Sequence, residues 1–272
     1  MSTRDGMICP YSEKCGGCSL WNQDYEEQLD NKYRQVNKLL KDFGEVPPVI
    51  GMGYPYHYRN KVHAVFGPGK KGQILCGVYE KNSHRIVDVE SCLIEDKIST
   101  AIIRDIKELM PSFKIKPYNE DSGYGLLRHV LVRRGFSSGE VMVVELNYEA
   151  VGDAIQNAKQ NKIKNERFLC ADATEYIVDV AKMGEHFDVV FMDPPRAGST
   201  KAFVEALVEL APERVVYISC NPETLARDLK WFGREYQVEQ IQPYDMFPFT
   251  DHVESVVLLN KVQNPITYLN PQ

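Results

Sequence analysis

Residues 187–198 read FDVVFMDPPRAG, a mainly apolar run followed by an acidic residue, two prolines, a basic residue and a glycine. The apolar run predicts a buried strand over 187–192, because short apolar runs bounded by turn residues are typical of strands covered on both faces. The two prolines restrict the backbone of the turn that follows. The stretch therefore predicts a strand whose carboxyl end holds Asp193 in a rigid loop.

Helices and short apolar strands alternate around this stretch, from about residue 148 to residue 260. The alternation predicts an α/β domain with a parallel sheet covered by helices, whose ligand site lies at the carboxyl ends of the strands. The predicted elements are helices at 148–161, 173–182, 200–210 and 222–233, and strands at 166–170, 187–192, 214–219, 236–243 and 254–260.

Two further loops beside these predicted strands carry reactive side chains. Cys220 follows strand 214–219 and directly precedes a helix, and a helix N-terminus favours a thiolate. Residues 251–254 read DHVE and place Glu254 where the last strand begins. A thiol and a carboxylate over one crevice suit covalent catalysis as nucleophile and base. We expect His252 to be a hydrogen-bonding support, because a Thr-Asp-His loop readily satisfies its own polar groups.

The first half of the chain has a different pattern, with one amphipathic helix followed by short strands separated by glycine-rich and polar turns. The pattern predicts a small antiparallel α+β region, and hence two domains, 1–144 and 145–272. The predicted elements are helices at 25–43 and 98–110 and strands at 61–66, 73–79, 85–89, 126–133 and 140–146.

Seven cysteines stand in a chain without an apparent export signal, so a disulfide framework is not expected. Cys9, Cys15 and Cys18 form a C-x5-C-x2-C run with two glycines between the last two. Three thiolates with this spacing indicate a metal site, for which Cys92 is the best fourth ligand. An iron–sulfur cluster is the favoured occupant and zinc is the alternative. The pattern predicts that the remaining two, Cys76 and Cys170, are ordinary buried thiols.

The composition limits the classes of partner. The 272 residues carry a net charge of −6, which excludes a uniformly basic protein, so any nucleic acid must meet a local patch. Such a patch is predicted where aromatic and basic residues interleave at 54–63 and at Arg128, His129, Arg133 and Arg134. Without a long apolar run, the sequence predicts a soluble, cytoplasmic protein that does not enter membranes. We expect a monomer.

Several of these motifs together resemble one known family, the RNA uracil-5-methyltransferases, and within it the iron–sulfur-containing 23S rRNA type. The resemblance covers nearly the whole chain. It is carried by the cysteine run at 9–18, YRNK at 58–61, SHRIVD at 83–88 with Cys92, LRHVLVRRG at 127–135, DPPRAG at 193–198, SCNP at 219–222 and DHVE at 251–254.

The resemblance implies a fold and a reaction. It implies a Rossmann-like methyltransferase domain that uses S-adenosylmethionine and follows a small α+β central domain whose four cysteines hold a [4Fe-4S] cluster. Cys220 would add to C6 of a uracil in RNA, with rRNA favoured over tRNA, and Glu254 would remove the C5 proton. The implied cofactor-binding residues are Glu145, Asp172 and Asp193.

The chain departs from the family between Gly135 and Glu145, where only nine residues stand. A crossover between parallel strands needs about a dozen residues or more, so the first strand and glycine-rich turn of the cofactor domain are missing here. The family's Phe-Gln-Val-Asn motif is missing too. Either the gene product lacks this segment, or the sequence omits residues of a longer molecule.

Two other functions follow from these departures. A chain without the cofactor pocket would be a catalytically inactive iron–sulfur RNA-binding remnant of the family. An amino-directed methyltransferase is the third possibility, because Asp-Pro-Pro loops also serve such enzymes. Cys220 together with Glu254 argues against it, because attack by nitrogen needs no thiol.

Overall fold

The computed structural model describes residues 7–134, 141–142, 173–184 and 187–262. The chain divides into two compact units. Unit 1 comprises Met1–Asn22 and Gly53–Cys170, and unit 2 comprises Gln23–Met52 and Ala171–Gln272. The predicted elements at 148–161 and 166–170 lie outside the described residues, as do Glu145, Cys170 and Asp172.

The described helices and strands fall close to their predicted positions. None of the described helices has both the length and the apolar composition that a membrane span requires. In chain order the elements are α1 (Tyr25–Leu40), β1 (Lys61–Pro68), β2 (Ile74–Tyr79), β3 (Ile86–Asp88), α2 (Lys97–Leu109), β4 (His129–Arg134), β5 (Val141–Met142), α3 (Ala173–Met183), β6 (Val189–Met192), α4 (Lys201–Leu210), β7 (Arg214–Ser219), α5 (Pro222–Leu229), β8 (Tyr236–Tyr244) and β9 (Glu254–Lys261), with 3-10 turns at Lys70–Gly72 and Lys230–Phe232.

Unit 1 contains a five-stranded antiparallel sheet in the order β3-β2-β1-β4-β5, as the sequence predicts. Helix α2 packs against this sheet and shares an apolar core with it, which includes Phe66, Ile103 and Met110. Asp96 caps the helix by accepting from the Ser99 backbone N–H at 2.9 Å. Cys76 is buried in the same core, which confirms its structural role.

Unit 2 contains a four-stranded sheet in the order β6-β7-β9-β8. Strands β6 and β7 are parallel, but β9 runs antiparallel to both of its neighbours, so the expectation of a purely parallel sheet is wrong. The reason is the connection between β8 and β9. Residues 245–253 form a loop without a helix, and so short a link joins antiparallel strands, whereas parallel neighbours need a longer crossover.

Helix α1 belongs to unit 2, whereas the predicted division at residue 144 placed it with the first domain. Its apolar side chains explain the difference. Val36 and Leu40 are fully buried in the unit 2 core, in one cluster with Val215 and Leu225 of the sheet and of α5. The hydrophobic stripe of the helix therefore finds its partner far along the chain, which periodicity alone does not reveal.

Replacing Leu40 with Ala tests this packing. We expect Leu40→Ala to lower the free energy of unfolding of unit 2 by about 2–5 kcal/mol, because a fully buried side chain leaves a cavity. Hydrogen exchange should become faster in β7 and β9 and stay unchanged in β1 and β4. Leu109→Ala is the control, because Leu109 is exposed at the end of α2. An equal loss of protection in β1 would contradict the placement of α1.

Candidate functional site

The pairing of β7 with β9 brings two predicted site residues side by side. Ser219, the last residue of β7, pairs with Ser255 of β9. Because the strands are antiparallel, Cys220 and Glu254 are neighbours at this end of the sheet. Both side chains are partly buried. The structure thus places the predicted nucleophile and the predicted base together.

Cys220 lies in a tight turn between β7 and α5. The Asn221 side chain caps α5 by accepting from the Glu223 N–H at 3.1 Å, and Pro222 occupies the first helical turn, where its missing N–H costs nothing. The Ser219 hydroxyl donates to the Asn221 carbonyl at 3.0 Å. The sequence SCNP thereby fixes the thiol between the strand and the helix.

The loop 193–198 leaves β6 beside this turn. Asp193 is exposed, and its charge acts on both Cys220 and Glu254. The Arg196 carbonyl accepts from Asn221 Nδ2 at 3.3 Å. Gly198 has φ +80°, and a Cβ at this position would stand 2.5 Å from an Arg227 nitrogen, so glycine is required. The DPPRAG loop is therefore tied to the turn that carries Cys220.

A buried carboxylate holds this loop against α5. Asp228 is fully buried and accepts from the Tyr217 hydroxyl at 2.5 Å, the Ser199 N–H at 2.7 Å and Arg227 Nε at 2.8 Å. Arg227 also donates to the Ala197 carbonyl at 3.0 Å. The sequence analysis missed Asp228, because an acidic residue within a short helix is usually solvated and carries no signal of burial.

Arg196 and His252 join the two motif loops. Arg196 Nη2 donates to His252 Nδ1 at 2.8 Å, which leaves this ring nitrogen unprotonated. The His252 ring meets Phe247 edge-on, with the ring centroids 6.2 Å apart. His252 thus acts as a hydrogen-bonding support, in line with the sequence analysis, which did not find its partner Arg196.

The electrostatics of the site keep the free thiol protonated at neutral pH. Burial raises the pKa of Cys220, and the negative charges of Glu254 and Asp193 raise it further, while Arg196 lowers it. Burial and Asp193 also raise the pKa of Glu254. Burial and the two carboxylates thus outweigh the helix N-terminus and Arg196, both of which favour the thiolate.

The cysteine motif forms a second site, which lies within unit 1. Cys9, Cys15, Cys18 and Cys92 all line one cavity of about 660 Å³, and all four are free thiols. Burial raises the pKa of Cys18 most, and the charges of Cys92, Cys15 and Cys9 raise it further. The four predicted metal ligands therefore line the same cavity.

Burial and backbone hydrogen bonds act on the thiols of this cavity. Burial, with repulsion between neighbours, raises the pKa of Cys18 to about 12 and that of Cys92 to about 11. Backbone N–H groups point at two sulfurs: Gly17 N donates to Cys15 Sγ at 3.3 Å, and Ile94 and Glu95 donate to Cys92. Such hydrogen bonds stabilise metal-bound thiolates. Within the described part of the chain, no His, Cys, Asp or Glu side chains already stand in the close grouping of a single-ion site.

The predicted RNA patch lies in unit 1. On the paired strands β1 and β4, the rings of His63 and His129 are exposed with centroids 4.9 Å apart. Arg128 stacks over the Tyr118 ring at 5.2 Å and pairs with Glu120 at 2.8 Å, so part of its charge is already neutralised. The patch combines aromatic faces with a basic edge, as single-stranded RNA requires.

Comparison with protein families gives one match, which covers more than half of the chain. The model of the tRNA (Uracil-5-)-methyltransferase family matches residues 122–262, a stretch that contains DPPRAG, SCNP and DHVE. The predicted resemblance to RNA uracil-5-methyltransferases is confirmed by this match. The iron–sulfur 23S rRNA subtype stays a prediction.

Relatives and a solved structure agree with the match. An uncharacterized RNA methyltransferase of Staphylococcus aureus (strain COL) is 27% identical over 378 aligned positions, which cover 93% of this chain and 83% of the relative. One from Clostridium acetobutylicum is 28% identical over 388 positions, which cover 95% and 84%. The crystal structure of Pyrococcus abyssi tRNA (uracil-54, C5)-methyltransferase with S-adenosyl-L-homocysteine superposes with a TM-score of 0.72, at 24% identity, over 92% of this chain and 86% of that one. The chain therefore has the mixed α/β fold of such methyltransferases.

The lengths of these alignments are informative. Both alignments have more positions than the 272 residues of this chain. The aligned region of each relative therefore contains residues that this chain lacks. This agrees with the missing segment that the sequence predicts between Gly135 and Glu145.

The pKa of Cys220 gives a test that needs neither RNA nor cofactor. We expect Glu254→Gln to shift the pH profile of Cys220 alkylation by iodoacetamide to lower pH, because it removes the negative charge that most raises the pKa of the thiol. Mass spectrometry of the peptide that contains Cys220 separates it from the other thiols. Glu223→Gln, at an exposed position of α5, is the matched control. Equal shifts in both variants would mean that Glu254 does not act on the thiol.

Proposed function

The chain belongs to the tRNA (uracil-5-)-methyltransferase family, and we propose that it methylates C5 of a uridine in RNA through a covalent adduct of Cys220. The observation that carries the proposal is the position of Cys220 directly beside Glu254 at the ends of β7 and β9. A methyltransferase that acts on nitrogen has no use for this pair. C5 of uracil, in contrast, is a poor nucleophile until a thiolate adds to C6.

Cys220 carries the first half of the reaction. Its proton passes to Glu254, the group whose charge acts most strongly on the thiol, and from there to solvent. Sγ then bonds to C6 of the uracil, which puts electron density on C5. S-adenosylmethionine supplies the methyl group, which C5 takes as its bond to the sulfonium breaks. Arg196 favours the attacking thiolate electrostatically.

Glu254 carries the second half. Its raised pKa makes it a stronger base than an ordinary glutamate at pH values where it is ionised. It removes the proton from C5, the electrons of that bond form the C5–C6 double bond, and the C6–Sγ bond breaks to return the thiolate. The product uracil carries one added methyl group, and S-adenosylhomocysteine is the other product.

S-adenosylmethionine is the proposed methyl donor, and Asp193, Glu145 and Asp172 are its proposed ligands. Of these, Asp193 lies within the described residues, exposed at the carboxyl end of β6 beside the thiol. This is the edge at which open α/β sheets bind ligands. The S-adenosyl-L-homocysteine in the Pyrococcus abyssi structure and the position of Asp193 both support this assignment.

We assign the cavity of unit 1 to a [4Fe-4S] cluster held by Cys9, Cys15, Cys18 and Cys92. Burial raises the pKa of Cys15, Cys18 and Cys92, so these thiols are costly to ionise unless cations compensate their charge, and iron supplies that compensation. Cys76 also lines the cavity, but the cysteine charges that act on Cys18 are those of Cys92, Cys15 and Cys9, which supports Cys92 as the fourth ligand. A cluster here would shape unit 1 rather than transfer electrons, because methyl transfer has no net redox step.

The proposed substrate is ribosomal RNA, 23S rRNA in particular. The cysteine motif supports rRNA, whereas the name of the family model and the Pyrococcus abyssi structure both concern tRNA. The patch around His63 and His129 is the proposed contact for an unpaired stretch of RNA. The target uracil must leave its stack to reach Cys220.

Methylation of RNA transcripts tests the reaction. We expect the wild type to transfer a labelled methyl group from S-adenosylmethionine to C5 of uridine in a 23S rRNA transcript, and to act less on a tRNA transcript. Cys220→Ala should abolish the transfer. Glu254→Gln should instead accumulate a protein–RNA adduct that survives a denaturing gel. Without the charge of Glu254 the thiol loses its proton to solvent more easily and still adds to C6, but the C5 proton stays. Methylation that persists in Cys220→Ala would rule out the adduct mechanism.

One observation favours a second function. The relatives carry internal residues that this chain lacks, and the strand and glycine-rich turn of the cofactor domain are predicted to be among them. A chain without them would be an inactive RNA-binding remnant. Titration with S-adenosylhomocysteine separates the two functions. A saturable heat of binding supports the enzyme, whereas RNA binding without any cofactor binding supports the remnant.

Iron content tests the cluster. After anaerobic reconstitution with Fe²⁺ and sulfide, we expect about four irons and four sulfides per chain. Cys92→Ser should lose most of this iron, whereas Cys220→Ser, the matched change in unit 2, should keep all of it. If the protein instead contains one zinc per chain and no sulfide, the site holds zinc and the cluster assignment is wrong.

A further inference from the structure

The loop 245–253, here called the β8–β9 loop, contains His252 and directly precedes Glu254, the first residue of β9. Helix α1 holds this loop through two side chains. Lys32 Nζ donates to Asp245 Oδ1 at 2.7 Å and to the Phe247 carbonyl at 3.2 Å. Gln28 Oε1 accepts from the Phe249 N–H at 2.8 Å. Three points of the loop are therefore fixed by a helix more than two hundred residues away in sequence.

These contacts are buried. The side chains of Lys32 and Asp245 are 2% and 0% exposed, and Gln28 is 0% exposed. Gln28 is also satisfied on its other side, where its Nε2 donates to the Gln23 carbonyl at 3.0 Å. Burying polar groups is costly unless each is paired, so two such residues on one helix call for a specific reason.

The buried face of α1 is polar in its first half and apolar in its second half. The buried positions of the helix are four residues apart, first Gln28 and Lys32 and then Val36 and Leu40. Residues at this spacing share one face of a helix. The second pair packs in the apolar core, whereas the first pair contacts the β8–β9 loop. The polar half of this buried face therefore binds the β8–β9 loop.

The loop contains a residue that needs such support. Phe249 has φ +66°, a left-handed conformation that a bulky residue rarely adopts without external support. The Phe249 N–H donates the hydrogen bond to Gln28 Oε1. The centroid of its buried ring lies 6.1 Å from that of the Tyr25 ring of α1. Helix α1 therefore holds Phe249 at both its backbone and its side chain.

The held part of the loop leads to the site by direct contacts. The Thr250 hydroxyl donates to the Phe247 carbonyl at 2.8 Å and accepts from the His252 N–H at 3.3 Å. The Phe247 ring also meets the His252 ring. His252 in turn accepts from Arg196, the cation that lowers the pKa of Cys220.

We propose that Gln28 and Lys32 are positioning residues of the catalytic site, which hold the β8–β9 loop so that His252 and Arg196 stay in place beside Cys220 and Glu254. The proposal rests on the proposed function. It assigns a role in catalysis to α1, which lies outside the residues 122–262 that the family model matches.

Gln28→Met tests the proposal, because methionine has a similar length but accepts no hydrogen bond from Phe249. We expect kcat for RNA methylation to fall roughly tenfold to a hundredfold, the cost of a small misplacement of reacting groups, with KM for S-adenosylmethionine unchanged. The fraction of enzyme trapped as the Cys220–RNA adduct should rise, because removal of the C5 proton by Glu254 slows. A loss of folded protein alone would not raise this fraction.

Two variants serve as controls. Gln35→Met makes the same change at an exposed position of α1 and should leave kcat unchanged. Gln28→Glu keeps an acceptor oxygen for the Phe249 N–H but loses the donor to the Gln23 carbonyl, so it should recover part of the lost kcat. If Gln28→Met keeps the kcat of the wild type, the proposal is overturned. It is also overturned if Gln28→Met and Gln28→Glu lose kcat equally and neither accumulates more adduct.

Failure of the proposed function gives a different result. In that case the wild type itself forms neither methylated uridine nor adduct. Alkylation of Cys220 by iodoacetamide then decides the positioning role, because it requires no RNA. A shifted pH profile in Gln28→Met, with none in Gln35→Met, supports the role of α1, and identical profiles overturn it.

Discussion

The antiparallel pairing of β9 with β7 is the constraint on which the site depends. With Ser255 opposite Ser219, the residue after β7 and the first residue of β9 must be neighbours, and these are Cys220 and Glu254. A slip of one residue would turn every side chain of β9 to the other face. The buried alternation along β9, from Ser255 through Val257 to Leu259, resists such a slip. Packing of the core and alignment of the reacting groups are therefore one requirement.

Much of this arrangement can be predicted from the sequence. The apolar runs, the DPPRAG loop and the SCNP turn place Asp193 and Cys220 correctly at neighbouring strand ends, because the order of strands and helices dictates those positions. The direction of β9 was not predicted, because it depends on the short loop before it rather than on periodicity. The place of α1 was missed for a similar reason, since an amphipathic stripe indicates that a helix is buried but not against which partner.

The residues that the sequence hides are buried polar ones. Asp228, Gln28 and Lys32 all lie on helices, where such residue types usually face solvent. Each is paired instead with the backbone or a side chain of a loop distant in sequence. No local pattern encodes a partner so distant. The direction in which the pKa of Cys220 shifts is not readable from the sequence either, because it depends on the sum of burial and three neighbouring charges.

The charges of Cys220 and Glu254 set the order of the proposed reaction. An ionised Glu254 disfavours the thiolate, so the two groups do not readily bear a negative charge together. Once Sγ is bonded to C6, the sulfur no longer carries a negative charge. Glu254 can then ionise, because Asp193 is, among the described residues, the one remaining negative charge that opposes its ionisation. When it has taken the C5 proton it is neutral, and a thiolate can then leave beside it without repulsion. The proximity that raises both pKa values thus suits an alternation of charge, in which each group is anionic only while the other is not.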